Sequence, residues 1–253
     1  SSVSLISLIS SVFLRVPPSL TDLLDHYRSY NYSNYRPTLC DVETKFWENS
    51  LVLKDLYGRF DPTIGVNSDG SVPSNGEILN SGWHDVSGYN RKFNKNHIAA
   101  TYASEGINGL PTIQVSQSAA MYLDTAFVPE NYGLYVVGRR LSSSGRLVSS
   151  YDRNWILGWW SNNIGVAHFH GGWCGSHTSS QKNAHIDPKI VSVRAVNKNS
   201  GKFYVDGDLA ATCTRNRAWS PGKMQLGGWS SNRRESSAGD FGTILLYKPQ
   251  PSD

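Results

Sequence analysis

The sequence predicts an all-β fold, a two-sheet antiparallel sandwich, and three observations carry that prediction. Short runs of β-branched and aromatic residues recur along the chain, punctuated by Gly, Asn, Asp and Ser. Aromatic residues are plentiful, with 8 Trp, 13 Tyr and 8 Phe, while charged residues make up only 17%. Long helical stretches rich in Ala, Glu, Lys and Leu are missing. A chain of 253 residues has enough material for an adequate core and for an appendage to it.

The first fifth reads differently from the rest. Leu5, Leu8, Ile9, Val12 and Phe13 recur at helical spacing before Pro17 and Pro18 break the chain. A second short helix is expected behind a Ser19 or Thr21 cap, with Leu20, Leu23, Leu24 and Tyr27 on one face. Residues 28–48 are rich in Tyr, Asn and Ser and read as irregular. Residues 1–50 are therefore expected to form a partly helical appendage. Its first apolar stripe would be an assembly interface, which either folds back on the domain or reaches a neighbouring molecule. The apolar run 4–14 is too short to span a bilayer, and Arg15 and two prolines follow it instead of a small-residue cleavage motif. The chain is thus read as mature and soluble.

From Leu51 the pattern turns to strands, and the sandwich is placed at residues 51–253. A turn-rich stretch covers 61–77. Strands are expected at 112–115, 121–123, 132–139, 154–160, 166–173, 190–196, 223–226 and 243–247. Residues 202–213, KFYVDGDLAATC, read as a hairpin with Asp206-Gly207 as a two-residue primed turn. Paired serines such as Ser149-Ser150 and Ser230-Ser231 read as polar loops.

The net charge of +4 comes from scattered Lys and Arg, densest at Arg139-Arg140 and Arg233-Arg234. It reads either as a solvated surface or as attraction to an acidic glycan, a membrane headgroup or an anionic mineral such as silica. Helix-turn-helix, zinc-finger and RNP-like signatures are missing, which argues against nucleic acid. Of the 3 cysteines, Cys174 follows one expected central strand and Cys213 ends another, so these two are expected to pair in an oxidising compartment. Cys40 is left free or intermolecular. Without a CxxC no zinc site is signalled; no cofactor is expected, and no pattern signals Ca2+. Asn31-Tyr32-Ser33 is a glycosylation sequon.

Five segments then fall in a recognisable order. WHDVSGYNRKF, GINGLPTIQVS, FYVDGDL, MQLGGWSS and FGTILLYKP, spread over residues 51–249, together resemble a laminin G-like domain of the concanavalin A-like lectin and glucanase superfamily. The resemblance implies a jelly-roll sandwich whose last strand, carrying Phe241, Gly242, Ile244 and Tyr247, returns beside early strands. Gly242 is expected to permit close backbone approach there. Val115 stands where that family usually has Phe.

The superfamily includes glycoside hydrolases and lyases, and retaining hydrolysis needs two carboxylates about 5–5.5 Å apart. The Glu-x-Asp-x-x-Glu string of those glucanases is missing, and the glutamates are isolated. No catalytic residue is therefore expected. In VAHFHGGW, His168 and His170 are expected on one strand face, opposite Phe169 and Trp173. They read as satisfied structural histidines, as ligand contacts, or as half of a metal set completed by His177 or His185. In NWILGWWSNN, Trp155 and Trp159 share one face, and Ile156 and Trp160 the other. These tryptophans either fill the core or offer a sugar-stacking platform, with at least one buried. The candidate ligand-binding residues are Trp159, His168, His170, Arg139, Trp229 and Arg233. The expected function is a secreted, non-catalytic structural or recognition module. It would bind a protein partner, a glycan or an anionic surface within a matrix, filament or cell-surface assembly. The competing reading is a polysaccharide hydrolase or lyase.

Overall fold

The computed structural model describes residues 56–142, 145–161, 163–174, 187–214, 218–230, 232 and 235–248. The appendage, its stripe of Leu5, Leu8, Ile9, Val12 and Phe13, and Cys40, His177, His185 and Arg233 lie outside the described residues.

Among the described residues fifteen strands follow in order. They are β1 (Leu56–Phe60), β2 (Trp83–His84), β3 (Lys92–Lys95), β4 (Thr101–Ala103), β5 (Thr112–Val115), β6 (Met121–Leu123), β7 (Tyr132–Arg140) and β8 (Arg146–Ser150). Then come β9 (Trp155–Trp160), β10 (Asn163–Phe169), β11 (Lys189–Asn197), β12 (Ser200–Val205), β13 (Asp208–Thr214), β14 (Met224–Leu226) and β15 (Gly239–Tyr247). One sheet has eight strands in the order β13-β12-β11-β7-β15-β5-β4, with β1 also paired to β15; the other has seven, in the order β10-β9-β8-β14-β6-β3-β2. The pairings within both sheets are antiparallel.

Side-chain alternation sorts each strand between core and surface. Along β7, Tyr132, Leu134, Val136 and Arg140 are buried, while Tyr135, Val137 and Arg139 between them are only partly so. One contiguous core draws on both sheets, from Ile113, Leu134, Val136 and Ile244 to Trp83, Leu123, Trp155 and Leu226. Its aromatic rings meet edge-on or offset, as at Phe60–Phe93 (4.6 Å), Phe127–Tyr132 (5.7 Å) and Trp155–Phe169 (5.1 Å).

The hairpin turn has φ of 51° at Asp206 and 91° at Gly207, the doubly positive geometry of a type I′ turn. Four expectations are corrected. Ser149 and Ser150 lie in β8, fully buried, because their hydroxyls are satisfied locally: Ser149 donates to the Gly228 carbonyl and Ser150 to Asp152 Oδ1 (2.8 Å). The expected strand 166–173 ends at Phe169, because the chain turns through His170 (φ 44°) and Gly172 (φ 140°). The last strand begins at Gly239 rather than Thr243. Its demanding glycine is also Gly239: a Cβ there would come within 2.7 Å of the Arg139 carbonyl, whereas one on Gly242 would meet the Val137 side chain at 3.2 Å.

Candidate functional site

The candidate site is the outward face of β8, β9 and β10. On β9, Trp155, Leu157 and Trp159 belong to the core and are fully buried, while the next residue, Trp160, is half-buried and outside the core cluster. Trp159, expected at the ligand, is thus corrected to a core residue. The signal that distinguishes it from Trp160 is the strand's own alternation. Across the sheet, Trp160 stands opposite Arg146 of β8 and Asn163 of β10, and Ile156 stands opposite Ser149 and His168.

The turn after β10 adds a further ring. It brings Trp173 back to pair with His168 as an isolated bridge, so the two share a face instead of opposing each other. The Trp173 ring lies 5.1 Å from the His168 ring, edge-on, and 5.0 Å from that of Trp160. The disulfide between Cys174 and Cys213, with Cα atoms 4.6 Å apart, ties this turn to β13 of the other sheet.

A network of charge and hydrogen bonds sets the geometry beside these rings. Glu235 Oε2 accepts from Arg146 Nε (2.5 Å) and from the Trp160 indole (3.1 Å). Arg146 Nη1 donates to Asn154 Oδ1 (2.8 Å), and its guanidinium lies over the Trp229 ring, 4.4 Å from the centroid. The Trp229 indole donates to the Arg153 carbonyl (3.0 Å), which fixes the ring. Beside Trp160 opens a pocket of roughly 460 Å³ lined by Gln117, Gly145, Trp160, Ser161, Glu235 and Ser236. His168 Nδ1 lies 3.0 Å from the Asn154 carbonyl, so that nitrogen carries the hydrogen and Nε2 is the acceptor. Burial holds the His168 pKa below the usual imidazole value, reinforced by the charges of Arg146 and His170 and opposed by the Asn154 hydrogen bond.

Of the residues singled out from the sequence, His168 and Trp229 come together here. His170 is exposed in the turn, its ring 6.0 Å from that of Trp219. Arg139 belongs to the other sheet, where its Nε donates to the buried Asp240 at 2.9 Å; its role is to neutralise that carboxylate. Arg146, Glu235, Trp160 and Trp173 were not selected. Arg146 and Glu235 are 89 residues apart, and nothing in the sequence pairs them. Among the described residues no group of three or more His, Cys, Asp or Glu could hold a metal ion. Nor is any described helix long and apolar enough to cross a membrane. Among the described residues that line it, the pocket has one carboxylate, engaged by Arg146, beside the hydroxyls of Ser161 and Ser236, the Gln117 amide and the Trp160 indole. Those groups can stack against and exchange hydrogen bonds with a polyhydroxylated ligand.

No family model matches the chain, and no curated protein is similar to it in sequence. Solved structures are similar. The binding domain of Paraclostridial Mosquitocidal Protein 1 superposes with a TM-score of 0.52 at 12% identity, over 79% of this chain and 50% of that one. Domain 4 of AbnA, a GH43 extracellular arabinanase from Geobacillus stearothermophilus solved with arabinotriose, gives 0.51 at 12% identity over 77% of this chain and 92% of that one. The binding domain of botulinum neurotoxin DC, solved with SialylT, gives 0.52 at 11% identity over 79% and 49%. The chain therefore spans about half the length of the two toxin binding domains and most of the arabinanase domain. At these identities what is shared is the fold, an all-β sandwich.

Proposed function

We propose that the chain is a non-catalytic carbohydrate-recognition module that works outside the cell. The observation that carries this reading is the set of half-buried rings of Trp160, Trp173 and Trp229 around the pocket and the Arg146–Glu235 pair. Sugar rings stack their C–H faces on indoles, while fixed amide, hydroxyl and charged groups at the rim orient their hydroxyls. The likeness to domains solved with arabinotriose and with SialylT supports the same reading by analogy of fold. The buried disulfide supports a secreted protein, since such bonds persist in oxidising compartments. The motifs ending in Phe241, Gly242, Ile244 and Tyr247 support a laminin G-like member of the concanavalin A-like group.

A glycan array with the full chain, followed by calorimetric titration of the best binders, tests the proposal. Saturable binding that Trp160→Ala weakens at least about tenfold, with the fold retained, is expected. Binding unchanged in that variant would overturn the assignment of the site. Release of reducing sugar from a bound polysaccharide, abolished by substituting one Asp or Glu, would favour the hydrolase reading instead.

A further inference from the structure

Arg140 ends β7 as an inward-facing residue with no exposed surface. Its Nη1 donates to the Ser161 carbonyl, while Nε and Nη2 have no hydrogen-bond partner among the described residues. Among the described residues Arg140 makes no ion pair: Asp240 Oδ2 is engaged by Arg139, and Glu235 by Arg146 and Trp160. Burial lowers the Arg140 pKa to about 10, which still leaves it charged at neutral pH. A desolvated cation with two empty donors is a costly arrangement, and replacing it with an apolar side chain of similar volume would ordinarily favour the folded state. A site kept against that cost is a candidate for function.

The place of this charge is specific. Ser161, whose carbonyl Arg140 holds, lines the pocket beside Trp160, and Ser161 N donates to the carbonyl of Gly145, another lining residue (3.1 Å). The guanidinium thus lies one residue behind the pocket wall. Glu235, the pocket's own carboxylate, has its charge offset by Arg146 and adds little net repulsion. On the reading of the site as a sugar-binding face, we propose that this pocket selects acidic saccharides, placing a ring carboxylate or sulfate ester over Ser161 with Arg140 as the counter-charge behind it. The ring itself stacks against Trp160. The anion offsets the Arg140 charge from across the Ser161 wall, so ligand binding and fold stability are coupled through one residue.

The test compares the full-length protein with Arg140→Met and Ser161→Asp. Ser161 has φ of 52°, a left-handed backbone that Asp tolerates better than most residues, so Ser161→Asp installs a resident carboxylate at low backbone cost. On an array carrying uronate-bearing and sulfated oligosaccharides beside their neutral counterparts, the wild type is expected to prefer the acidic member at least about tenfold. Both variants are expected to lose that preference and to melt at the same temperature or higher, and Arg140→Met, whose side chain lies behind the pocket wall, is expected to keep neutral-sugar binding. Sodium sulfate should also raise the wild-type melting temperature, relative to sodium chloride at equal ionic strength, more than that of either variant. Equal binding of acidic and neutral members by the wild type, or an acidic preference or full sulfate response surviving in Ser161→Asp, would overturn the proposal even if Arg140→Met fails to fold. If no saccharide binds while the differential sulfate response stands, the glycan reading fails and the anion site holds. If the response is absent, the anion site fails on its own.

Discussion

The Arg146 guanidinium carbon lies 4.4 Å from the Trp229 ring centroid, and the same guanidinium donates to Glu235 at 2.5 Å. One side chain therefore fixes an aromatic face and a carboxylate at once, on two positions of a loop that the strand pattern alone does not order. The planar fork of arginine can do both, whereas the point charge of lysine cannot.

Arg146→Lys should consequently behave as a severe change. Ligand affinity is expected to fall about tenfold and stability by about 1–2 kcal/mol, because the Arg146 side chain is nearly buried and its hydrogen bonds to Glu235 and Asn154 are lost together. Titration calorimetry and urea unfolding measure the two effects. A fully functional Arg146→Lys would show that the Trp229 and Glu235 positions are fixed by other contacts.

The adjacent tryptophans of β9 should separate binding from folding. Trp159→Ala removes a fully buried core ring and is expected to cost about 3–5 kcal/mol in unfolding free energy. Trp160→Ala removes a half-buried outward ring and should cost far less while abolishing most ligand affinity. If both variants lose stability equally and keep their affinity, the outward face is not the binding surface.

Opening the disulfide should affect both sheets and the site. Cys174→Ser/Cys213→Ser opens a bridge between residues separated by 39 in sequence, and a loss of about 2–4 kcal/mol is expected. Because Trp173 immediately precedes Cys174, its near-ultraviolet circular dichroism with Trp160 and the ligand affinity should decline with it. A reduced protein with an unchanged aromatic spectrum would show that Trp173 is held by its ring contacts alone.

His168 gives a pH dependence of defined sign. Its folded pKa lies below the ordinary 6.5, chiefly through burial, so the unfolded chain takes up the proton first as pH falls. The contribution to stability is complete above about 6.5 and is lost as pH drops through the lower folded value. Urea midpoints measured at pH 7.5 and at pH 5.5 should therefore differ less in His168→Asn, which preserves a donor toward the Asn154 carbonyl, than in the wild type. Identical slopes would place the titration elsewhere.

Much of the architecture was readable because its signals are local. The expected bounds of β5 and β6 agree with the structure, and Asp206-Gly207 announces its turn through residue types that tolerate positive φ. β2, among the strands passed over, is two residues long and too brief for alternation to register. β8 was hidden because serine reads as a loop residue until its hydroxyl is seen to be satisfied, as Ser149 is by Gly228. At the site, alternation already placed Trp160 on the face away from Trp159, and the choice between them turned on which face met the other sheet. Trp173 was placed on the wrong side of His168 because the two-glycine turn at 171–172 resets the period. Arg140 gave no signal at all beyond belonging to an Arg-Arg pair, since being buried without a counter-ion is a property of three dimensions.

β15 has β7 on one side and β5 and β1 on the other. Of the sandwich's strands it is the last to leave the ribosome, yet it joins halves made much earlier. Until it inserts, a nascent chain carries two separate partial sheets, each with an unpaired edge where the middle of the eight-stranded layer will be. Closure of this layer thus waits for the last of its strands, and it is dominated by contacts distant in sequence and correspondingly slow. A ribosome stalled before Gly239 would hold a molecule whose most adhesive surfaces are the ones its finished form keeps innermost.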